Sequence, residues 1–197
     1  MVKTILKATE RTFRFIALLW WVFLVDCVIH YLTGFSLCNL GLLPRTGQGL
    51  LGIFTMHFLH GNVVHIAMNS LSLATVLILL YLEFPPRDVN LTIFKTAVTA
   101  GILLWIFGRS NGMHVGASAL IYGLMTYTAI VGFTRHKASL VAYSIGMLFL
   151  NGGFFLGLLP LDPKISWEGH LMGAIAGILV ALNEKKSDNL DRHHAHM

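Results

Sequence analysis

The amino-acid sequence predicts an all-α integral membrane protein, a bundle of six transmembrane helices. Three observations carry that reading. Hydrophobic residues make up 55% of the 197-residue chain and charged residues only 12%, about half the share found in soluble domains. The mean hydropathy is +0.71, so the chain cannot cover its surface with polar groups, and lipid is its natural solvent. The apolar residues also gather into six runs close to the ~20 residues that cross a hydrocarbon core.

The first run is 13–32. The residues before it resemble the basic start of a signal peptide, but the apolar stretch is too long and no small-residue cleavage site follows, so a retained helix is expected. A glycine-rich segment, 33–55, leads to the second run, 63–82, which stops at Glu83-Phe-Pro-Pro. The third is 91–107, with Lys95 near its start and able to reach the interface. A polar stretch, 109–116, opens onto the fourth, 117–133, closed by Arg135-His136-Lys137. The fifth, 138–159, is interrupted at Asn151-Gly152-Gly153, which makes it a plausible mobile wall. After a turn at 161–164 comes the sixth, 167–182. Residues 1–183 thus form one membrane domain, and 184–197 a short polar tail expected to be disordered.

The net charge of +5 does not point to nucleic acid, because the basic residues form no patch interleaved with aromatics. Six spans put ten of the 14 Lys and Arg on one side: Lys3, Lys7, Arg11, Arg14, Arg87, Arg135, Lys137, Lys185, Lys186 and Arg192. Arg45, Arg109 and Lys164 fall on the other, and Lys95 lies within a span. The positive-inside rule then makes both termini cytoplasmic and turns the first, third and fifth loops outward. Cys27 and Cys38 give no disulfide framework.

Polar residues within spans are costly and mark candidate sites. His65 and Asn69 are four apart, on one helix face. The fourth span opens with Gly116-Ala-Ser118, with Tyr122 one turn below, and the sixth with Glu168-Gly-His170. All lie near the outward ends of their helices. Gly169, Gly173 and Gly177 clear a strip on the sixth span for close approach to a neighbour. Against the fourth span, that strip lets His170 reach Ser118. A serine hydroxyl needs an adjacent base to become a nucleophile, and neutral imidazole suits that task. Glu168, two residues from His170, points away from it, so a Ser–His dyad is expected, with Tyr122 packed on the imidazole. Among the alternatives, a metal site on His57, His60 and His65 lacks an HExxH motif, and a helix over 60–65 would hold His60 and His65 about 140° apart. A non-enzymatic membrane scaffold is the other. No metal or cofactor is expected.

His60-x4-His65-x3-Asn69, Gly116-x-Ser118-x3-Tyr122 and Gly169-His170-x2-Gly173-x3-Gly177 together resemble the motifs of the rhomboid intramembrane serine proteases. The resemblance implies a rhomboid-like bundle that cleaves single-span membrane proteins in the lipid bilayer. It implies Ser118 as nucleophile, His170 as general base and acid, and Tyr122 as its support. His65, Asn69 and the Ser118 backbone N–H become the oxyanion hole. The sequence departs from the family pattern at Ala119, where Gly is common after the nucleophile, and at Leu51-Gly52, where many members carry Trp-Arg.

Overall fold

The computed structural model describes residues 2–150, 157–159 and 166–195. It is an all-α membrane bundle, with seven α-helices among the described residues. They are α1 (Val2–Thr33), α2 (Gly47–Thr55), α3 (Val63–Glu83), α4 (Pro86–Phe107), α5 (Ser118–Thr134), α6 (Ala138–Leu150) and α7 (Trp167–Ala195). By length and composition α1, α3 and α4 are each able to cross a membrane, and α5 is a shorter apolar helix.

Helix α1 begins well before the expected span. Residues 2–12 hold neither Gly nor Pro, and Ala8 and Thr12 are buried, so the helix runs on through its basic end. Helix α4 starts with Pro86 in the first turn, where the missing N–H costs nothing. One sequence expectation changes at the other end of the chain. The stretch expected to be disordered continues α7 without a break to Ala195, because it too lacks Gly and Pro and a helix extends more readily than it starts. Lys95 gains a partner that the sequence did not suggest, for its Nζ lies 3.7 Å from a Glu184 carboxylate oxygen just beyond the sixth apolar run. The interruption at 151–153 and the turn at 161–164 lie outside the described residues.

Helix α5 is the axis of the bundle. It packs on α3, α4, α6 and α7 and is buried without a break from Ala119 to Met125. With 17 residues it is about 25 Å long, short of a ~30 Å hydrocarbon core. A helix wrapped by its neighbours need not reach both surfaces. Helix α7 lies closest to it. A Cβ on Gly173 would collide with the Ala119 carbonyl oxygen, and one on Gly177 with the Gly123 carbonyl oxygen. Gly173 and Gly177 thus make the close approach expected of the glycine strip, whereas Gly169 lies against Ser166 and Leu104 instead.

The connections between α1 and α3 and between α4 and α5 meet at one end of the bundle. Leu42 and His114 exchange two backbone hydrogen bonds, 3.0 and 2.8 Å, and Gly116 N–H donates to Met56 O at 2.9 Å. The Arg45 guanidinium donates to the carbonyls of Ile106 and Gly108 at 3.0 and 2.7 Å, satisfying acceptors left open at the end of α4. Asp26 of α1 accepts from Leu37 N–H at 2.6 Å and Ser36 Oγ at 3.2 Å, fixing where the chain leaves that helix.

Candidate active site

Helix α3 starts with an N-cap. Asn62 Oδ1 accepts from His65 N–H at 2.9 Å, so His65 sits in the first turn with its ring free to turn inward. One turn on, Asn69 is buried, and its Nδ2 has no hydrogen-bond partner. Both side chains converge on Gly116. A Cβ built there would stand 2.5 Å from His65 Nε2 and 3.4 Å from Asn69 Nδ2. Gly116 also has φ +115, a conformation that side chains disfavour. Glycine is therefore required twice over, for the turn into α5 and for the space beneath the two polar groups.

Two residues later Ser118 is the first residue of α5, following Ala117 at the N-cap with no side-chain cap. The N–H groups of a helix's first turn have no partner within the helix and carry the positive end of its dipole. Ser118, His65 and His170 are half-buried, while Asn69 and Ala117 are buried, so the site is open on one side and walled on the other.

His170 lies in the first turn of α7. Its ring stacks on Tyr122, centroids 4.3 Å apart and planes within 5°. Its Nδ1 lies 2.7 Å from Gly157 O. A carbonyl oxygen only accepts, so Nδ1 carries the proton and Nε2 is left with the lone pair. The imidazole is thus held on one face by a ring and on one edge by a hydrogen bond, in the tautomer suited to a base.

His60 corrects one expectation. The 140° separation assumed that His60 and His65 share a helix, but His60 precedes the N-cap of α3. The two rings meet edge-on at 5.1 Å. Among the described residues, no group of three His, Cys, Asp or Glu side chains is placed to hold a metal.

A second set of residues, of which His114 and Ser166 were not singled out from sequence, ties the α4–α5 connection to α7. His114 Nδ1 lies 2.6 Å from Ser166 Oγ and Nε2 lies 3.0 Å from Arg109 O. Ser166 Oγ accepts from Gly169 N–H at 3.2 Å. Arg109 Nε lies 3.1 Å from Glu168 Oε1, with the Glu168 side chain 8% exposed. Glu168 therefore faces Arg109, which agrees with its pointing away from His170. Ser166 was findable as a serine just before an apolar run. His114 and Gly157 gave no periodic signal.

Comparison with known proteins bears on this arrangement. Residues 47–185 match the Rhomboid domain. The chain belongs to the rhomboid family. An uncharacterised protein of Mycobacterium tuberculosis is 31% identical over 175 residues, covering 85% of this chain and 71% of that one. A second uncharacterised protein, from Mycobacterium leprae, is 31% identical over 176 residues, 85% of this chain and 67% of that protein. RHOMBOID-like protein 4 of Arabidopsis thaliana is 28% identical over 178 residues, 79% of this chain and 44% of the plant protein. The two rhomboid departures are accommodated: Gly52 is buried against Leu42, and Ala119, itself buried, offers its carbonyl to the Gly173 face.

Proposed function

We propose that this rhomboid-family chain is an intramembrane serine endopeptidase that cuts transmembrane segments of single-span membrane proteins with a Ser118–His170 dyad. The observation that carries the proposal is the state of His170: stacked on Tyr122, protonated at Nδ1 toward Gly157 O, and presented by a helix whose Gly173 and Gly177 lie against Ala119 and Gly123 of α5.

The steps follow from these atoms. Ser118 Oγ attacks the scissile carbonyl carbon while His170 Nε2 takes its proton. The carbonyl oxygen gains the negative charge, and in this reading Asn69 Nδ2, the His65 ring and the Ser118 N–H stabilise it, a role supported by the convergence of His65 and Asn69 on Gly116. His170 returns the proton to the leaving amine as the C–N bond breaks, leaving an acyl-serine. Water then attacks that ester with His170 again as base, releasing the acid and restoring the hydroxyl. Asn69 is suited to this work because its amide nitrogen is buried and spends no hydrogen bond on another described residue.

The distribution of Lys and Arg supports cytoplasmic termini and a site opening on the opposite, extracytoplasmic side. Water enters there, and substrate reaches the dyad from the bilayer. The test is to incubate the purified protein with a panel of single-span membrane proteins and map the cuts, alongside labelling with a serine-reactive phosphonate. The proposal expects cuts within or beside the spans and a label on Ser118 that disappears in His170→Ala. A label elsewhere, with no cleavage across the panel, would refute it.

A further inference from the structure

The two members of the proposed dyad come from separate helices, so their spacing depends on how the start of α7 is tied to the start of α5. We propose that His114 is a positioning residue for His170, acting through Ser166; this rests on the dyad reading above.

The link can be followed atom by atom. Arg109 O is a carbonyl, so the His114 nitrogen facing it, Nε2, must carry the proton. Nδ1 is then bare and accepts from the Ser166 hydroxyl at 2.6 Å. With its hydrogen committed, Ser166 Oγ accepts from Gly169 N–H, and the Ser166 carbonyl accepts from His170 N–H at 3.2 Å. The first turn of α7, including the backbone of His170, thus hangs on one serine whose rotamer is set by His114. At its other end His114 is rigid. Its backbone is paired both ways with Leu42, its side chain is buried, and it stands two residues before Gly116. His114 therefore joins the turn that bears Ser118 to the turn that bears His170. The Arg109–Glu168 pair bridges the same two segments beside it and is the charged neighbour of the imidazole.

Removing the imidazole leaves the Ser166 hydroxyl hydrogen without its acceptor. The serine is then free to turn away, and Gly169 N–H loses its cap. His170 loses its fixed height over Ser118, although no group that touches substrate has changed. A small misplacement of a reacting group is enough to cost a large factor in rate. Ser166→Asp offers a repair, since a carboxylate caps a helix start without a hydrogen of its own to place.

The experiment uses the full-length protein in lipid with a membrane-embedded substrate that wild type cleaves. It compares His114→Ala, Ser166→Asp and the double variant, with Ser118→Ala as control. The expected result for His114→Ala is a kcat about tenfold lower with KM within about twofold, and faster hydrogen exchange at the amides of Gly169 and His170. The double variant should recover most of the lost kcat and the exchange protection. An unchanged kcat in His114→Ala would overturn the inference. So would a loss that Ser166→Asp fails to repair, which would mean that His114 only supports the fold. Cleavage by Ser118→Ala would instead overturn the dyad itself, and so is distinguishable from either.

Discussion

Asn69 Nδ2 is one of six buried side-chain polar atoms without a hydrogen-bond partner among the described residues, and it is the one that converges with His65 on Gly116; a buried donor of that kind is costly unless a ligand completes it. The oxyanion of the tetrahedral intermediate would do so. Asn69→Ala and His65→Ala should each lower kcat, by on the order of 10²-fold if the lost donor is a principal one. Binding of a non-cleavable substrate should be kept, and unchanged kcat in both variants would remove them from the oxyanion hole. Tyr122 makes a different kind of contact, face to face with the imidazole at 4.3 Å. Tyr122→Phe retains that face and should keep most of the activity, whereas Tyr122→Ala should lose it; equal rates in the two variants would show that the stack does not matter. Helical spacing and intramembrane polarity single out Ser118, His170, His65, Asn69 and Tyr122 as candidates in the sequence, and the His170–Tyr122 stack is the contact among them that the sequence reading expected. His114 and Ser166 were not read, because their pairing joins residues 52 apart through irregular segments, where no period exists to follow.

At the scale of elements, the decisive contact is α5 against α7. Gly173 lies directly on the Ala119 carbonyl, so Gly173→Val must push the helices apart. Overpacking of this kind typically costs about 1–3 kcal/mol. Because the displaced helix carries His170, cleavage should fall further than the drop in thermal midpoint alone explains. Retained activity with a lowered midpoint would contradict the coupling. Helices α1, α3 and α4, the described helices long and apolar enough to cross a membrane, were readable as apolar runs, but α2 was not. Gly47-Gln-Gly-Leu-Leu-Gly52 is a poor helix former by propensity. It is helical because Thr46 Oγ1 caps Gly49 N–H at 3.0 Å, and because Gly49 and Gly52 allow contact with the backbone at Leu42 and Leu43. Tertiary packing overrides propensity there. The extension of α7 escaped notice for the opposite reason: its charged composition suggested disorder, yet nothing in it breaks a helix.

For the whole molecule, the end of the bundle that carries the site is rich in buried histidines that lie outside the spans. Burial pushes His57 and His60 each down to about 4, and burial also lowers His114, with the Arg109 carbonyl and Glu168 pulling the other way. His57 Nδ1 and His60 Nε2 are buried without partners, so a proton on either would be an unpaired buried charge. In the unfolded chain these groups titrate near 6.5. The unfolded state therefore binds more protons as pH falls from about 6.5 toward 4, and folding stability must decline across that window while being fully present above it. Thermal unfolding in detergent between pH 7.5 and 4.5 should follow that decline, and replacing His57 by Gln should flatten it. A midpoint that stays constant or rises on acidification would contradict the assignment of these histidines as neutral. The same end of the molecule thus combines buried histidines held neutral with a His170 whose Nδ1 faces the Gly157 carbonyl, leaving Nε2 to act as the base of the proposed dyad.

The most direct measurement is cleavage of a membrane-embedded substrate by wild type, Ser118→Ala, His170→Ala and the double variant, with unfolding temperature recorded for each. Groups that act as one unit are strongly non-additive, so each single change should lower the rate nearly as far as both together, with all four proteins folded. A folded Ser118→Ala protein that still cleaves, or single losses that multiply in the double variant, would contradict a shared dyad.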